Sequence, residues 1–510
     1  MSLTSALSTA QSIFTNTGTQ SSVTAKNIAN AQNTDYVRRS AVVVTGGNGA
    51  MIGDIVRDQN QPLFRQTIES TSVSSGQRTL LTGLEEIKSL MGGNDYETSP
   101  AAYLSAFRES MDAFVGKANN NAMGLAVVSS AQDLVTALNN ASNDLQAIRK
   151  RADDDIKQNV SDLNTLLGKF EEANNKVKIQ TSTGGDPNDA LDERDALLKQ
   201  ISEIVGVSSY VRENNDMVLY TSDGVTLFEA VPRKVTFAAT STYEAGTVGN
   251  AIYVDGVQLK AGTSGDTSAK GSLPALLQLR DDVAPVFQTQ LDEVARGLIT
   301  AFAETDPDPD ADPALDPMTG LFTYLGADGT LQTEVPTGVE VDGDGNPVPN
   351  SAVITGLASR LRLNPAVQPP TGSADLIRDG GINGSDYVVN LVDGQPGGSS
   401  YSDLLDKYNE ALEAPMSFDP STQIGDSPDL MSFASDSLGW LEQLRSSATT
   451  ADENKYAMLT RAFEAYSSTT GVSLDEELSL LLDIEQSYKA GAKLMSTVDE
   501  MMQALLDIAS

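Results

Sequence analysis

The 510-residue sequence has no cysteine and no histidine. Those absences exclude disulfides, thiolate nucleophiles, Cys/His zinc sites and Ser-His-Asp triads. A chain without cysteine also suits a protein that must stay unlinked outside a cell. Aromatic residues are scarce at 5%, with Trp440 the single tryptophan, so the cores are expected to be aliphatic and alanine-rich. Basic residues are scarce too: 34 Lys and Arg face 70 Asp and Glu, a formal net charge of -36. Such a surface repels nucleic acid and anionic membranes, and neither is expected as a partner. No run of 18 apolar residues occurs, and the first 25 residues carry no charged side chain. A membrane span and a cleaved signal peptide with a basic start are therefore not expected. If the protein leaves its cell, another route must carry it.

What is present is concentrated at the two ends. Leu474, Leu481, Tyr488, Met495 and Met502 stand seven residues apart, and Ile484, Gly491, Val498 and Leu505 form a second series three positions later. That is the seam of a coiled coil. It predicts one helix over 473–508, about 50 Å long at 1.5 Å per residue. Ser473 and Glu476 make a capping box, and Asp475 and Glu477 suit the positive helix end. Gly491, on the seam, would let a partner helix approach closely. A narrow stripe on so long a helix calls for a partner. The candidate is the other end of the chain, where Leu3, Leu7, Ala10, Phe14, Thr17, Ser21, Thr24 and Ile28 follow the same 4–3 spacing. Half of those positions are small or hydroxylated, so that seam needs the C-terminal helix to order it. The opposite charge signs of 1–40 and 471–510 mildly favour the pairing.

After these residues a resemblance becomes definite. Asn27-Ile28-Ala29-Asn30-Ala31, followed by Asn33-Thr34 and Tyr36, resembles the N-terminal signature of bacterial flagellar rod, hook and hook-junction proteins. Asp35 stands where that family usually has glycine, so an altered turn is expected there. Gly471 to Glu477, Glu485 to Ala490 and Asp499 to Leu506 resemble the family's C-terminal signature. In the middle, Leu191-Asp192-Glu193-Arg194-Asp195-Ala196-Leu197-Leu198 resembles a segment of the hook-associated, hook–filament junction proteins, which the hook and rod proteins do not share. Gly271-Ser272-Leu273, Leu279-Arg280-Asp281 and Leu291 to Ala295 continue that likeness.

Between these segments the pattern is coarser. Residues 53–70, with Pro62 to Gln66, read as a short extended piece entering a helix; helices are expected over 80–90, closed by Gly92-Gly93, and over 100–115, with Ser99 as cap and Pro100 in the first turn. A long helix over 121–180 follows, ended by Gly184-Gly185-Asp186-Pro187. The charges Arg149 to Arg151 and Asp153 to Asp155 are read as a solvated face in preference to a contact site. Strands are expected at 207–212 and 217–221 around Asn214-Asn215, then at 225–228 and 235–239. Residues 301–430 hold 22 acidic and four basic residues. A β-rich remainder is read there at 353–363 and 387–392. From about 430 helices return, and their apolar face, including Phe433, Trp440 and Tyr466, is placed against the 121–180 helix. Asp342-Gly343-Asp344-Gly345-Asn346 opens like a calcium loop but has Pro347 and Val353 where glycine and glutamate are needed. Asp306, Asp308 and Asp310 are read as a solvated loop. No catalytic, cofactor or metal residues are assigned.

The reading is an α+β structural protein with discontinuous, concentric domains. Residues 1–40 and 471–510 form a terminal coiled-coil assembly domain, 41–185 and 425–470 a helical middle domain, and 186–424 a β-rich acidic outer domain. The expected assembly residues are Leu3, Leu7, Phe14, Asn27, Ile28, Asn30, Tyr36, Leu474, Leu481, Ile484, Tyr488, Met495, Val498, Met502 and Leu505. The resemblance implies an extracellular adaptor at the hook–filament junction, exported by the flagellar type III route. Its implied partners are the hook protein, a second junction protein, copies of itself and an export chaperone at the C-terminal helix. Two alternatives stay open: a hook or distal rod protein, and a secreted glycan hydrolase with coiled-coil ends.

Overall fold

The structure is a computed structural model that describes residues 3–46, 49–308, 310, 313–343, 347–349, 351–393, 395–425 and 427–509. Helix α1 (Leu3–Ala29) is followed by an antiparallel hairpin of β1 (Arg39–Gly46) and β2 (Gly49–Arg57). Helix α2 (Gln61–Leu90) joins the helix entered within 53–70 and the expected 80–90 helix into one. Asn60 caps it by accepting from Leu63 N, and Pro62 sits in its first turn. The stretch Ser70 to Gly76 hides the helix in the sequence, because Thr, Ser and Gly are weak helix formers. Their small size has a packing reason. A Cβ on Gly76 would meet Ala269 O at 2.5 Å, and one on Gly83 would strike Leu279.

Helix α3 (Pro100–Val115) is capped by Ser99, which accepts from Ala102 N. Helix α4 (Asn121–Thr183) is 63 residues long, roughly 95 Å. It stops at Gly184, whose φ of +73° is a left-handed cap that favours glycine. Helix α5 (Asn188–Ile204) folds back on α4. Strands β3 (Val207–Val211), β4 (Met217–Thr221) and β5 (Thr226–Phe228) make one sheet, and β6 (Val235–Thr236), β7 (Tyr253–Val254) and β8 (Val257–Gln258) another. The β3–β4 turn is made by Asn214 and Asn215, both at positive φ, as the sequence suggests.

Helix α6 (Ser272–Gln278) runs through a π-helical turn at Leu279–Val283 into α7 (Ala284–Ala301). Beyond it come β9 (Phe322–Leu325), β10 (Leu331–Gln332), α8 (Leu357–Arg360), β11 (Leu361–Leu363), α9 (Asp375–Asp379), β12 (Leu391–Val392), β13 (Gln395–Pro396) and α10 (Asp403–Ala411). Helices α11 (Leu430–Thr470) and α12 (Leu474–Ala509) close the chain. Among the described residues, the range 186–424 thus holds eleven short strands but also α5 to α10. Among these, α7 lies in the core through Phe287, Leu291, Ala295 and Leu298. The fold class is α+β: long helices with small antiparallel sheets.

Two expectations are corrected. Helix α11 packs chiefly on α2, with further contacts to α7 and α3, and not on α4. Tyr466 meets the Phe64 ring at 5.6 Å, and Gln77 Nε2 donates to Ala448 O. The returning chain does run beside the outgoing one, but the outgoing helix is α2, whose Ser/Thr-rich middle concealed it. The α4 charge cluster is also not one solvated face. Arg149 and Asp153 are buried. Asp153 accepts from Arg280 Nη1 at 2.6 Å, Tyr243 Oη at 2.7 Å and Thr240 N at 2.8 Å. Arg149 donates to four backbone carbonyls, those of Arg280, Glu244, Ala245 and Thr247. At that height α4 is covered by the 240–250 loop and the π-helical turn, so the helix buries more than one side. Of the calcium-like loop, residues 344–346 lie outside the described residues. Asp306 and Asp308 instead accept backbone N–H groups of their own loop.

Asp292 ties the outer segment to α7. Its Oδ1 accepts from Ala358 N and Gln288 Nε2, and its Oδ2 from Gly356 N, at 2.8–2.9 Å. Burial pushes its carboxyl up to about 7, against the pull of those donors and of Arg360. A carboxyl raised by folding favours the protonated form in the folded state. Its contribution to stability is therefore present at low pH and lost as pH rises through about 7. We expect urea midpoints of the wild type to fall, relative to those of Asp292→Asn, as pH rises from about 4 to 7. Parallel pH profiles for the two proteins would contradict this.

Candidate assembly interface

Helices α1 and α12 pair antiparallel. Phe14 meets Tyr488 edge to face at 5.1 Å, and a Cβ on Gly491 would reach Ile13 Cγ2 at 2.7 Å. Nearer the body, Arg38 Nε donates to Glu477 Oε1 at 2.7 Å. The buried line on α12 is Glu477, Ile484, Gly491 and Val498, seven residues apart. Ala10, Thr17 and Thr24 form the buried seven-residue line on α1. Small residues on α1 and the missing side chain at Gly491 let the two axes come close.

The expected assembly residues divide into three groups. Ile484, Val498, Asn27 and Tyr36 are buried. Leu3, Leu7, Phe14, Ile28, Asn30 and Met495 are half-buried. Leu474, Leu481, Tyr488, Met502 and Leu505 are exposed, between 36% and 56%. The first heptad series therefore lies beside the covered one, about 60° round the helix, and α1 covers it only in part, through Phe14 on Tyr488 and at half-buried Met495.

The N-terminal signature builds the turn that follows α1. Asn27 Oδ1 accepts from Tyr36 Oη at 2.8 Å and Arg39 N at 3.1 Å, and its Nδ2 donates to Arg39 O at 2.9 Å. One buried amide thus holds both ends of the turn. Burial pushes the Tyr36 hydroxyl up to about 12, against the pull of Arg39. Asn30 spends its side chain on Lys26 O of its own helix. Asp35 donates its N–H to Asn33 Oδ1 and is not at positive φ, so this turn does not need the family's glycine. Arg38 N donates to Thr470 O, which joins the turn to the α11–α12 corner. Ser473 Oγ accepts from Glu476 N at 3.4 Å, one half of the expected capping box.

Arg39 and Arg57 face each other across the hairpin and reach α5 together. Arg39 meets Asp189 at 2.6 Å and Asp192 at 2.7 Å; Arg57 meets Asp192 at 2.8 Å and Asp195 at 2.9 Å. Both guanidinium side chains are 3% exposed or less. Gln59 Nε2 also donates to Asp195, and Asn188 Nδ2 to Ile55 O. Burial raises the Asp192 carboxyl above its ordinary value, and Arg57 and Arg39 pull it back. Arg38, one residue before Arg39, points the other way and meets Glu477 and Asp58, as alternation along an extended chain requires.

Sequence reasoning gave these charges no role, although signals were present. Asp189, Asp192 and Asp195 stand three apart on one helix face. Arg38-Arg39 is an adjacent basic pair in a chain poor in basic residues.

The chain is similar to known proteins over nearly its whole length. The family described as "Flagellar hook-associated protein FlgK helical domain" matches residues 84–306, and "Flagellar basal body rod FlgEFG protein C-terminal" matches 464–508. Flagellar hook-associated protein 1 of Salmonella typhimurium is 22% identical, over 94% of this chain and 96% of that protein. The Escherichia coli K12 protein of that name is 21% identical over 91% and 90%, and the Bacillus subtilis one 19% identical over 95% and 94%. The solved hook junction protein FlgK of Burkholderia pseudomallei shares the fold, with a TM-score of 0.56 and 12% identity over 79% of this chain and all of that one.

The pairing geometry predicts opposite effects for two glycines. Gly18→Ala, on the exposed side of α1 with nothing within 4 Å, should stabilise that helix by about 1 kcal/mol. Gly491→Val should push α1 off α12. Amide hydrogen exchange should then slow in α1 for Gly18→Ala and speed up in both terminal helices for Gly491→Val. Unchanged exchange in Gly491→Val would refute the close approach.

Proposed function

We propose, from the premise that the chain belongs to the flagellar hook-associated protein family, that it joins hook to filament by packing its terminal helices against neighbouring subunits. It is a hook–filament junction component of the bacterial flagellum, and its family is a structural one. The carrying observation is the exposed apolar surface of α12: Leu474, Leu481, Tyr488 and Met502 of the first heptad series, with Leu505, Leu478, Met501 and Leu506 also exposed. Apolar surface of that length on a soluble chain marks a place where another molecule docks. Heterologous contacts repeated on a rotation that does not close generate a helical tube.

On this reading 1–40 with 471–510 is the assembly domain, 41–185 with 425–470 the middle domain and 186–424 the outer one. The neighbours are other copies, the hook protein on one side and a second junction protein on the other. Before assembly, an export chaperone covers the α12 line while the chain leaves the cell without a cleaved signal peptide. The hook or rod alternative has less support, since residues 84–306 match the helical domain of the junction family. The hydrolase alternative has no observation in its favour.

Met502→Glu with Leu505→Glu tests the reading. Both side chains are exposed, so the isolated protein should melt as the wild type does. Filaments per cell, counted by electron microscopy in a strain lacking the wild-type gene, should drop sharply at equal secretion. Val498→Asp should reduce them too, but by breaking the α1–α12 pair, because Val498 is 5% exposed. The neighbouring Asp499→Asn should be mild. Wild-type filament numbers for the double glutamate variant, with normal secretion, would overturn the assignment.

A further inference from the structure

We infer that the base of the β1–β2 hairpin, held between Arg39, Arg57 and the aspartates of α5, is the joint that sets the direction of the terminal helix pair relative to the body. The terminal helices do not set it themselves. Helix α12 has α1 as its main partner, and α1 packs on α12 and the hairpin. Asn16 shows how firmly α1 grips the hairpin: its amide donates to Ala50 O and accepts from Ile52 N on the outer edge of β2. The helix pair and the hairpin therefore move together, and their attachment to the body is made at the hairpin's base.

That attachment has two points on two strands. Arg39 belongs to β1 and Arg57 to β2, and Asp192 lies between them, 2.7 Å from one and 2.8 Å from the other. A single ion pair would act as a pivot, whereas two on adjacent strands, sharing one carboxylate, fix a plane. Arg38 adds a third tie on the opposite side through Glu477 and the Thr470 carbonyl. Cross-strand like charges destabilise a hairpin by themselves. Arg39 and Arg57 are such a pair, so the hairpin is at ease only when docked on Asp189, Asp192 and Asp195. The contacts with Asp192 and Asp195 are buried, and salt screens buried pairs little. Residues 192 and 195 thus act as positioning residues for an assembly surface far along α12.

The absence of cysteine makes the test direct. Spin labels placed by Ser161→Cys on α4 and Ser496→Cys on α12, both exposed, report the angle as a distance distribution in the full-length monomer. The wild type should give one narrow peak that persists at about 0.5 M salt. Asp192→Asn with Asp195→Asn should lose that peak to a broad distribution, with the melting temperature of the body unchanged. Arg57→Lys, which keeps the charge but not the guanidinium Nη2 that meets both Asp192 and Asp195, should broaden it less and serves if the double variant does not fold. Asp189→Asn should leave the peak as it is, because Asp189 is the exposed member and Asp192 still holds Arg39. A peak as narrow as wild type in both Asp192→Asn/Asp195→Asn and Arg57→Lys would overturn the inference. So would broadening accompanied by an equal fall in body stability, which is what a merely structural cluster would give. The measurement is made on the monomer, so its outcome is independent of the assembly reading.

Discussion

The antiparallel pairing of α1 with α12 constrains everything between them. A chain whose first and last helices lie side by side must leave that pair and return to it at one place. The outgoing path is the Asn27–Tyr36 turn and the hairpin; the returning path is the α11–α12 corner. They are bonded where they pass, through Arg38 to Thr470 and Glu477. Farther out the same constraint puts α2 beside α11. Long-range contacts between chain ends carry a high closure entropy, and the dense bonding at this crossing offsets it locally. The strong specification of the crossing follows from topology, before any functional demand.

Inside the body, polar groups do part of the work that aromatics do in other cores. The chain has few large rings to fix the register of its long helices, so buried hydrogen-bonded groups fix it. Gln77 on α2 donates to Ala448 O of α11 and Gly265 O, and accepts from Thr267 N. Glu293 and Arg296 form a two-fork pair on α7 and together reach Asp419 N and Ser417 O. Such pairs add little net stability, but misplacing one leaves a charge buried and unpaired. Their value lies in making slipped alternatives costly. An aliphatic, alanine-rich core would otherwise accept several registers of a helix as long as α4.

What was legible in the sequence follows from this. Periodic apolar residues and caps gave α3, α4, the β3–β4 hairpin and both terminal helices nearly to their ends. Each of those signals is local, a matter of spacing or turn chemistry. The middle of α2 was missed because the close approach of the 265–271 loop falls at Ser72 and Gly76, which are poor helix formers. The buried ends of Arg149 and Asp153 were missed because nothing in a charged helical run says what will cover it. Asp192 and Asp195 lay inside a segment noticed only for its likeness to other proteins. Their partners are 153 and 138 residues away, beyond what spacing can show. Exposed or buried, a seam position reads the same in a sequence, so the division of the α12 heptads into covered and open lines needed the fold.

That division has a physical cause in α1. Helix α12 presents two apolar lines about 60° apart, and one straight helix can close on only one of them at short range. Ala10, Thr17 and Thr24 are too small to hold the axes apart, so α1 settles deeply onto Ile484, Gly491 and Val498. Bulky residues at those three places would have held α12 farther off and spread contact over both lines. Small side chains choose depth over breadth. They leave Leu481, Tyr488 and Met502 with water on them, although burying a side chain of this class contributes roughly 1.5–3 kcal/mol. Summed along the helix, that is enough to drive association once a neighbour presents a complementary face. In an isolated molecule the same residues contribute little. The weak apolar character of the first helix is therefore what keeps the interface on the last one open.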